Sequence, residues 1–152
     1  MDRSKTHRPT MNQDAATSLL IVEDDPNLRA LLKFAAERAA CFDPISTAAN
    51  GEEALHAIHQ GGEIGNYPDL VISDLSMPRM TGLELLRALK SDEATRAIPL
   101  AIVTSSNIPN DREDALAAGA CVFEHKPLGL DAFMRLFREI RAHCCEMPAG
   151  VR

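Results

Sequence analysis

Residues 18–24 read SLLIVED and residues 69–74 read DLVISD. Both are short apolar runs that end in acid. Neither alternates polar with apolar, as a strand with one wet face would. They read as strands buried on both faces, the pattern of a parallel sheet covered by helices. Working outward, residues 44–48 (PISTA), 99–104 (PLAIVT) and 121–125 (CVFEH) supply three more candidate strands.

Each candidate strand is followed by a helical pattern. After the first, Pro26 and Asn27 open a helix in which Leu28, Leu31, Leu32, Ala35 and Ala39 share one face. Residues 52–60 form a second helix with Leu55 and Ile58 inward, closed by Gly61, Gly62 and Gly65. Residues 83–90 and 111–118 form the third and fourth, the latter stopped by Gly119. Residues 130–143 form the fifth, with Leu130, Phe133, Met134, Phe137 and Ile140 on one side. Strand and helix thus alternate five times, as βα units require. The expected fold is α/β: a flavodoxin-like (βα)5 doubly wound parallel sheet with strand order 2-1-3-4-5.

That order makes strands one and three neighbours. In such sheets ligands bind beyond the carboxyl ends of the strands, where strand order reverses. Glu23, Asp24 and Asp25 end strand one, Asp74 ends strand three, Thr104 ends strand four, and Lys126 follows strand five. All fall on one edge. Clustered carboxylates repel, and a divalent cation relieves the repulsion. Magnesium prefers hard oxygen ligands and is typically held by one or two carboxylates with waters and a phosphate. Asp74 as nucleophile, beside a metal and a lysine, makes a phosphoryl-transfer site that yields an acyl phosphate. The competing reading is bland. A strand-final Asp is ordinarily a loop residue or helix cap, and the acids of VEDDPN could simply cap the first helix. The coincidence of four such signals on one edge favours the site.

Composition narrows the classes. The chain has 152 residues, 45% hydrophobic and 25% charged, with a formal net charge of −6. That suits one globular domain and argues against a direct DNA-binding role, since phosphate-backbone binders lean basic. No run approaches the roughly 20 apolar residues of a bilayer span, so no membrane association is expected. The first 18 residues carry charge and no apolar segment, unlike a secretory signal. Residues 1–16 read as a disordered tail, 17–143 as the domain and 144–152 as a short C-terminal tail. Met11 is an alternative start. Cys41 and Cys121 read as small core residues, and Cys144 and Cys145 as tail thiols. Reduced thiols would place the chain in the cytoplasm. Phosphate-binding glycine motifs of the GxGxxG and GxxxxGKS types are absent.

At these residues the sequence resembles the response-regulator receiver domain (CheY-like). LLIVEDDPNLR, LVISDLSMPRMTGLELL, LAIVTSS and FEHKPL look like the family's four signatures. The resemblance covers about residues 18–143 and is similar to the stand-alone, single-domain type of chemotaxis and phytochrome systems. It implies a two-component phosphorelay protein, not a turnover enzyme. Asp74 would accept the phosphoryl group from a sensor histidine kinase or a histidine phosphotransfer protein. Glu23, Asp24, Asp74 and the backbone carbonyl of Ser76 would hold Mg2+, with Mn2+ as an alternative ion. Thr104 and Lys126 would contact the phosphoryl group. Phe123 stands at the aromatic switch position, and Pro127 would follow a cis bond. The helix 4–strand 5–helix 5 face would change its protein contacts toward a downstream target, or toward a second copy through residues 111–143. Glu124 and His125 depart from the usual apolar residues and read as guards of an edge strand. Two alternatives stand beside this: a degenerate receiver used only for protein contact, and an aspartate-nucleophile phosphatase. The phosphatase class carries a second Asp where this chain has Ser76.

Overall fold

A computed structural model describes residues 16–145. The elements alternate as β1 (Thr17–Val22), α1 (Pro26–Ala39), β2 (Phe42–Ala48), α2 (Gly51–Glu63), β3 (Leu70–Ser73), α3 (Gly82–Lys90), β4 (Leu100–Thr104), α4 (Pro109–Ala118), β5 (Val122–His125) and α5 (Leu130–Cys145). The five strands form one sheet in the order β2-β1-β3-β4-β5, and every pairing is parallel.

Alternate strand residues feed two cores. Leu20, Val22, Val71, Leu100 and Ile102 pack with α2, α3 and α4 side chains such as Ile58, Leu85, Leu86, Leu89 and Ala115. Leu19, Ile21, Leu70, Ile72, Ala101 and Val103 pack with Leu32, Ala35 and Ala36 of α1 and Phe133, Phe137 and Ile140 of α5. This two-sided burial is why β1, β3 and β4 are continuous apolar runs. A fully buried side chain of this size contributes about 1.5–3 kcal/mol.

Helix starts follow local chemistry. Asp25 caps α1 through the N–H groups of Asn27 and Leu28, with Pro26 in the first turn. Asn50 caps α2, and Thr81 and Glu84 form a reciprocal capping box on α3. Gly119 ends α4 at φ 114°, a conformation that glycine adopts without strain.

Several expectations need correction. The helix α2 runs through Gly61 and Gly62 to Glu63 rather than stopping before them. A Cβ at either would overlap the Asn66 carbonyl oxygen or the Tyr67 ring. These glycines admit the following loop against the helix; they do not break it. Leu31 is 38% exposed, and Ala36 takes its place on the buried face. Cys144 and Cys145 are buried residues of the last turn of α5, not tail thiols. Cys121 and Cys144 are joined by a disulfide, Cα to Cα 6.0 Å, so neither is the reduced thiol expected. The 3–4 residue period of Phe133, Phe137 and Ile140 simply continues through Cys144 and carries that residue into the core. Of the tails expected at 1–16 and 144–152, residues 1–15 and 146–152 lie outside the described residues.

Candidate functional site

Val22 and Ser73 are register partners at the ends of β1 and β3. The next residues, Glu23 and Asp74, therefore leave adjacent strands side by side. The Asp74 amide donates to the Val22 carbonyl at 3.0 Å, and the Glu23 amide donates to the Ala48 carbonyl at 3.0 Å. Carboxylate oxygens of Glu23, Asp24 and Asp74 all lie within 4.8 Å of one another. Glu23 is buried at 2% exposure, Asp74 nearly so at 9%, and Asp24 is exposed. Asp25 is turned away to cap α1, so the bland reading of VEDDPN is right for one of its three acids.

Lys126 reaches back from the end of β5. Its Nζ lies 3.0 Å from Asp74 Oδ2 and 3.1 Å from Glu23 Oε1. The other Asp74 oxygen, Oδ1, accepts from the Leu75 amide at 2.6 Å. Glu23 Oε2 accepts from the Asp25 amide at 3.2 Å. Burial raises the Glu23 carboxyl above its ordinary range and Asp74 adds to this, against the Asp25 N–H and the Lys126 ammonium. For Lys126 burial alone would lower the ammonium, but Asp74 and Glu23 outweigh it and hold the group above its usual value.

These residues fit a divalent cation. Three carboxylates and one ammonium leave an excess of two negative charges. Among the described residues the buried Glu23 Oε1 makes no hydrogen bond, and it faces the Lys126 ammonium as an ion pair at 3.1 Å. A buried anionic oxygen with spare acceptor capacity, set among further carboxylate oxygens, suits the hard-donor preference of Mg2+ or Mn2+. Ser76, two residues beyond Asp74, is exposed on the same loop.

Thr104 is buried at the end of β4, and its Oγ1 accepts from the Ser106 amide at 3.2 Å. The Lys126 amide donates to the Thr104 carbonyl at 2.9 Å, so the two residues are tied through the backbone. Phe123 is 3% exposed and points into the α2/α3/α4 core. The peptide before Pro127 is trans, contrary to expectation; the cis bond among the described residues is Asp43–Pro44. Trans is the intrinsically favoured isomer of an X-Pro bond, and Lys126 reaches both acids from it.

Residues 19–138 match the response regulator receiver domain. The chain belongs to that family. The receiver is 34% identical over 125 residues to the two-component response regulator ARR17 of Arabidopsis thaliana, covering 78% of this chain and 80% of that protein. It is also 34% identical over 125 residues to the response regulator PleD of Caulobacter vibrioides, covering 82% of this chain and 25% of PleD. Among solved structures it resembles the phosphorylated cyanobacterial phytochrome response regulator RcpA, with TM-score 0.74, 25% identity, and coverage of 84% of this chain and 93% of that one. Receiver domains are signalling domains that interact with histidine kinases or phosphotransfer proteins, and they typically bind a divalent metal.

The contacts of four residues, Ser106, His125, Arg112 and Leu75, escaped the sequence reading. Ser106 Oγ bonds the Asp111 carboxylate of α4 and accepts from the Ile108 amide. His125 Nε2 meets the Ser106 carbonyl at 3.0 Å. Arg112 donates to the Phe123 carbonyl at 2.9 Å, and its guanidinium lies 6.0 Å from that ring's centre. The fourth is the Leu75 amide on Asp74. The first three tie the loop after β4, the first turn of α4 and β5 to one another, pairings that no periodicity encodes. Among the described residues no helix is long and apolar enough to cross a membrane.

Proposed function

We propose that this receiver takes a phosphoryl group on Asp74 from the phosphohistidine of a sensor kinase or phosphotransfer protein. One observation carries the reading: Asp74 is nearly buried, its Oδ1 is fixed by the Leu75 amide, and its Oδ2 faces the Lys126 ammonium 3.0 Å away. A carboxylate held at both oxygens is oriented for attack and cannot rotate freely.

Glu23, Asp24, Asp74 and the Ser76 carbonyl would hold Mg2+ or Mn2+. Bound there, the ion supplies charge neutralisation to the phosphoryl oxygens. An Asp74 oxygen attacks phosphorus while the P–N bond of the donor breaks and the departing imidazole keeps the electron pair and takes a proton. Lys126 then exchanges its carboxylate partner for a phosphoryl oxygen. Thr104, tied to Lys126 through the backbone, offers its hydroxyl to another. Both contacts exist only after phosphorylation, and they bias the face built from α4, β5 and α5, beneath which Phe123 is buried. That face would bind a downstream protein or a second copy through residues 111–143. The receiver acts through protein contacts in the cytoplasm, without binding DNA itself.

The test is phosphorylation of the full chain with Mg2+ and a small acyl phosphate or a histidine kinase. Wild type should gain one phosphoryl group that is lost in hydroxylamine, whereas Asp74→Asn should remain folded and gain none. Equal labelling of the variant, or a hydroxylamine-stable label, removes the mechanism and leaves a contact-only receiver.

A further inference from the structure

All four cysteines converge on one layer of the fold, the core between the sheet and helices α1 and α5. Cys121 precedes β5, and its amide donates to the Leu100 carbonyl at the start of β4, 2.9 Å away. Cys144 is the penultimate residue of α5 and is 4% exposed. The bond between them spans 23 positions of chain. The enclosed segment holds Phe123, Lys126 and nearly all of α5. The bridge lies at the amino-terminal edge of the sheet, whereas the acids and Asp74 lie at the carboxyl-terminal edge.

Apolar packing anchors α5 beside this bridge. Small domains rely on disulfides when their cores are insufficient. Here α5 is already anchored by Phe133, Phe137 and Ile140, each at most 3% exposed. A bridge that is dispensable for folding can open and close without unfolding the chain. In a reducing compartment such bonds are usually transient and redox-sensing.

We propose that Cys121 and Cys144 form a reversible dithiol–disulfide pair, a second covalent input to the domain, with a low-molecular-weight disulfide of the glutathione class as its oxidant. Cys121 is half-buried and the more accessible of the two. Its thiolate attacks one sulfur of the small disulfide, and the other sulfur leaves as a thiolate. The resulting mixed disulfide stands beside Cys144. The Cys144 thiolate attacks the Cys121 sulfur, the protein bridge forms, and the second small thiolate departs. The two thiolates that leave take up the two protons released by the cysteines. One small disulfide is thereby reduced to two thiols as the two cysteine thiols are oxidised. Closing the bridge ties the end of α5 to the start of β5, the strand that carries Phe123 and leads directly into Lys126. Cys145 lies next in the chain with its Sγ directed at the Asp69 carbonyl, 3.8 Å away, on the β3 side.

The experiment exposes the fully reduced, native full chain to oxidised glutathione, then reverses the reaction with a dithiol reagent, without denaturant. Products are mapped by mass spectrometry after acid quench. Wild type should yield a monomeric Cys121–Cys144 cross-link that disappears on reduction. Cys144→Ser should instead stop at a glutathione adduct on Cys121. Cys121→Ser should form neither the cross-link nor, at a comparable rate, the adduct. Backbone hydrogen exchange in residues 141–145 should slow by about tenfold in the bridged wild type, while residues 19–73 stay unchanged. The proposal is overturned by a wild type that stays reduced, or by a bridge that maps to another pair or to a dimer. A bridge that only denaturant allows the dithiol to reach also overturns it, because the bond is then a permanent staple.

Discussion

Gly82 stands so close to Asp74 that a Cβ at position 82 would overlap the Asp74 carbonyl oxygen and lie 3.0 Å from the Leu75 Cα. The Gly82 amide donates to the Leu75 carbonyl at 2.8 Å, which pins the start of α3 against the loop that presents the acceptor. The obstacle is backbone on both sides, so no flexible side chain can give way.

Gly82→Ala should therefore destabilise the domain by about 2 kcal/mol, the usual cost of overpacking. Alanine's better helix propensity, worth up to about 1 kcal/mol, opposes this and loses. Urea denaturation checks it: the midpoint should fall with an unchanged slope. A midpoint that holds or rises would mean the Asp74 loop moves easily.

Divalent metal should stabilise the folded chain. At about a hundredfold excess over the dissociation constant the gain is roughly 2.7 kcal/mol, seen as a rise in thermal midpoint with Mg2+ or Mn2+ and reversed by a chelator. Asp24 is exposed, so Asp24→Ala should fold as well as wild type without metal and lose most of the metal-dependent rise. An undiminished rise would remove Asp24 from the site.

Lys126→Ala should separate accepting the phosphoryl group from responding to it. Driving a two-state domain from 1:99 to 99:1 takes roughly 5.5 kcal/mol of differential interaction. Lys126 supplies part of it by leaving Asp74 and Glu23 for the phosphoryl group. The variant should still label with a small acyl phosphate, more slowly, while its spectroscopic change on phosphorylation shrinks. A full-sized change would make the lysine dispensable for switching.

Much of this site was legible because it sits where a parallel sheet must place it. Once residues 18–24 and 69–74 are neighbouring strands, Glu23, Asp24 and Asp74 have to meet. What period and edge position could not reveal were side-chain contacts between separate segments: the Ser106 bond to Asp111, His125 on Ser106, and Arg112 over Phe123. Two misreadings had local causes. Gly61 and Gly62 look like stop signals, yet they are there to admit Asn66 and Tyr67. Cys144 looks like tail, although Phe137, Ile140 and Cys144 continue one helical face. The isomer at Pro127 has no sequence signature beyond proline itself.

Lys90 gives a pH dependence. Its Nζ donates to the Arg96 and Ile98 carbonyls at 2.9 and 3.1 Å, and burial lowers its ammonium below the ordinary value of 10.5. A folded-state value below the unfolded one means the unfolded chain binds more protons between the two. Stability should then rise with pH through the window just below 10.5. Lys90→Arg does not titrate there. The stability of wild type minus that of the variant, from urea melts at stepped pH, should increase on approaching the window's upper end. A flat difference would mean that the two carbonyls fully offset the burial.

Arg112 should govern the mobility of Phe123. It donates to the Phe123 carbonyl at 2.9 Å, and its guanidinium covers the ring at 6.0 Å from the centre, while His125 meets the same ring edge-on at 5.9 Å. The hydrogen bond contributes about 1 kcal/mol, and the exposed Arg112 cation over the buried ring about 0.5–1 kcal/mol more. Arg112→Ala removes both and opens one side of β5, which among the described residues is an edge strand paired with β4 alone. The strand's own ladder remains, so the loss should be local. Amide exchange at Phe123 and Glu124 should quicken by roughly tenfold, the equivalent of about 1.4 kcal/mol, with β1 and β3 unaffected. Arg112→Lys keeps the charge but not the planar fork, so it should recover only part of the protection. Exchange in β5 unchanged in Arg112→Ala would show that core packing alone, not the guanidinium, holds Phe123 inward.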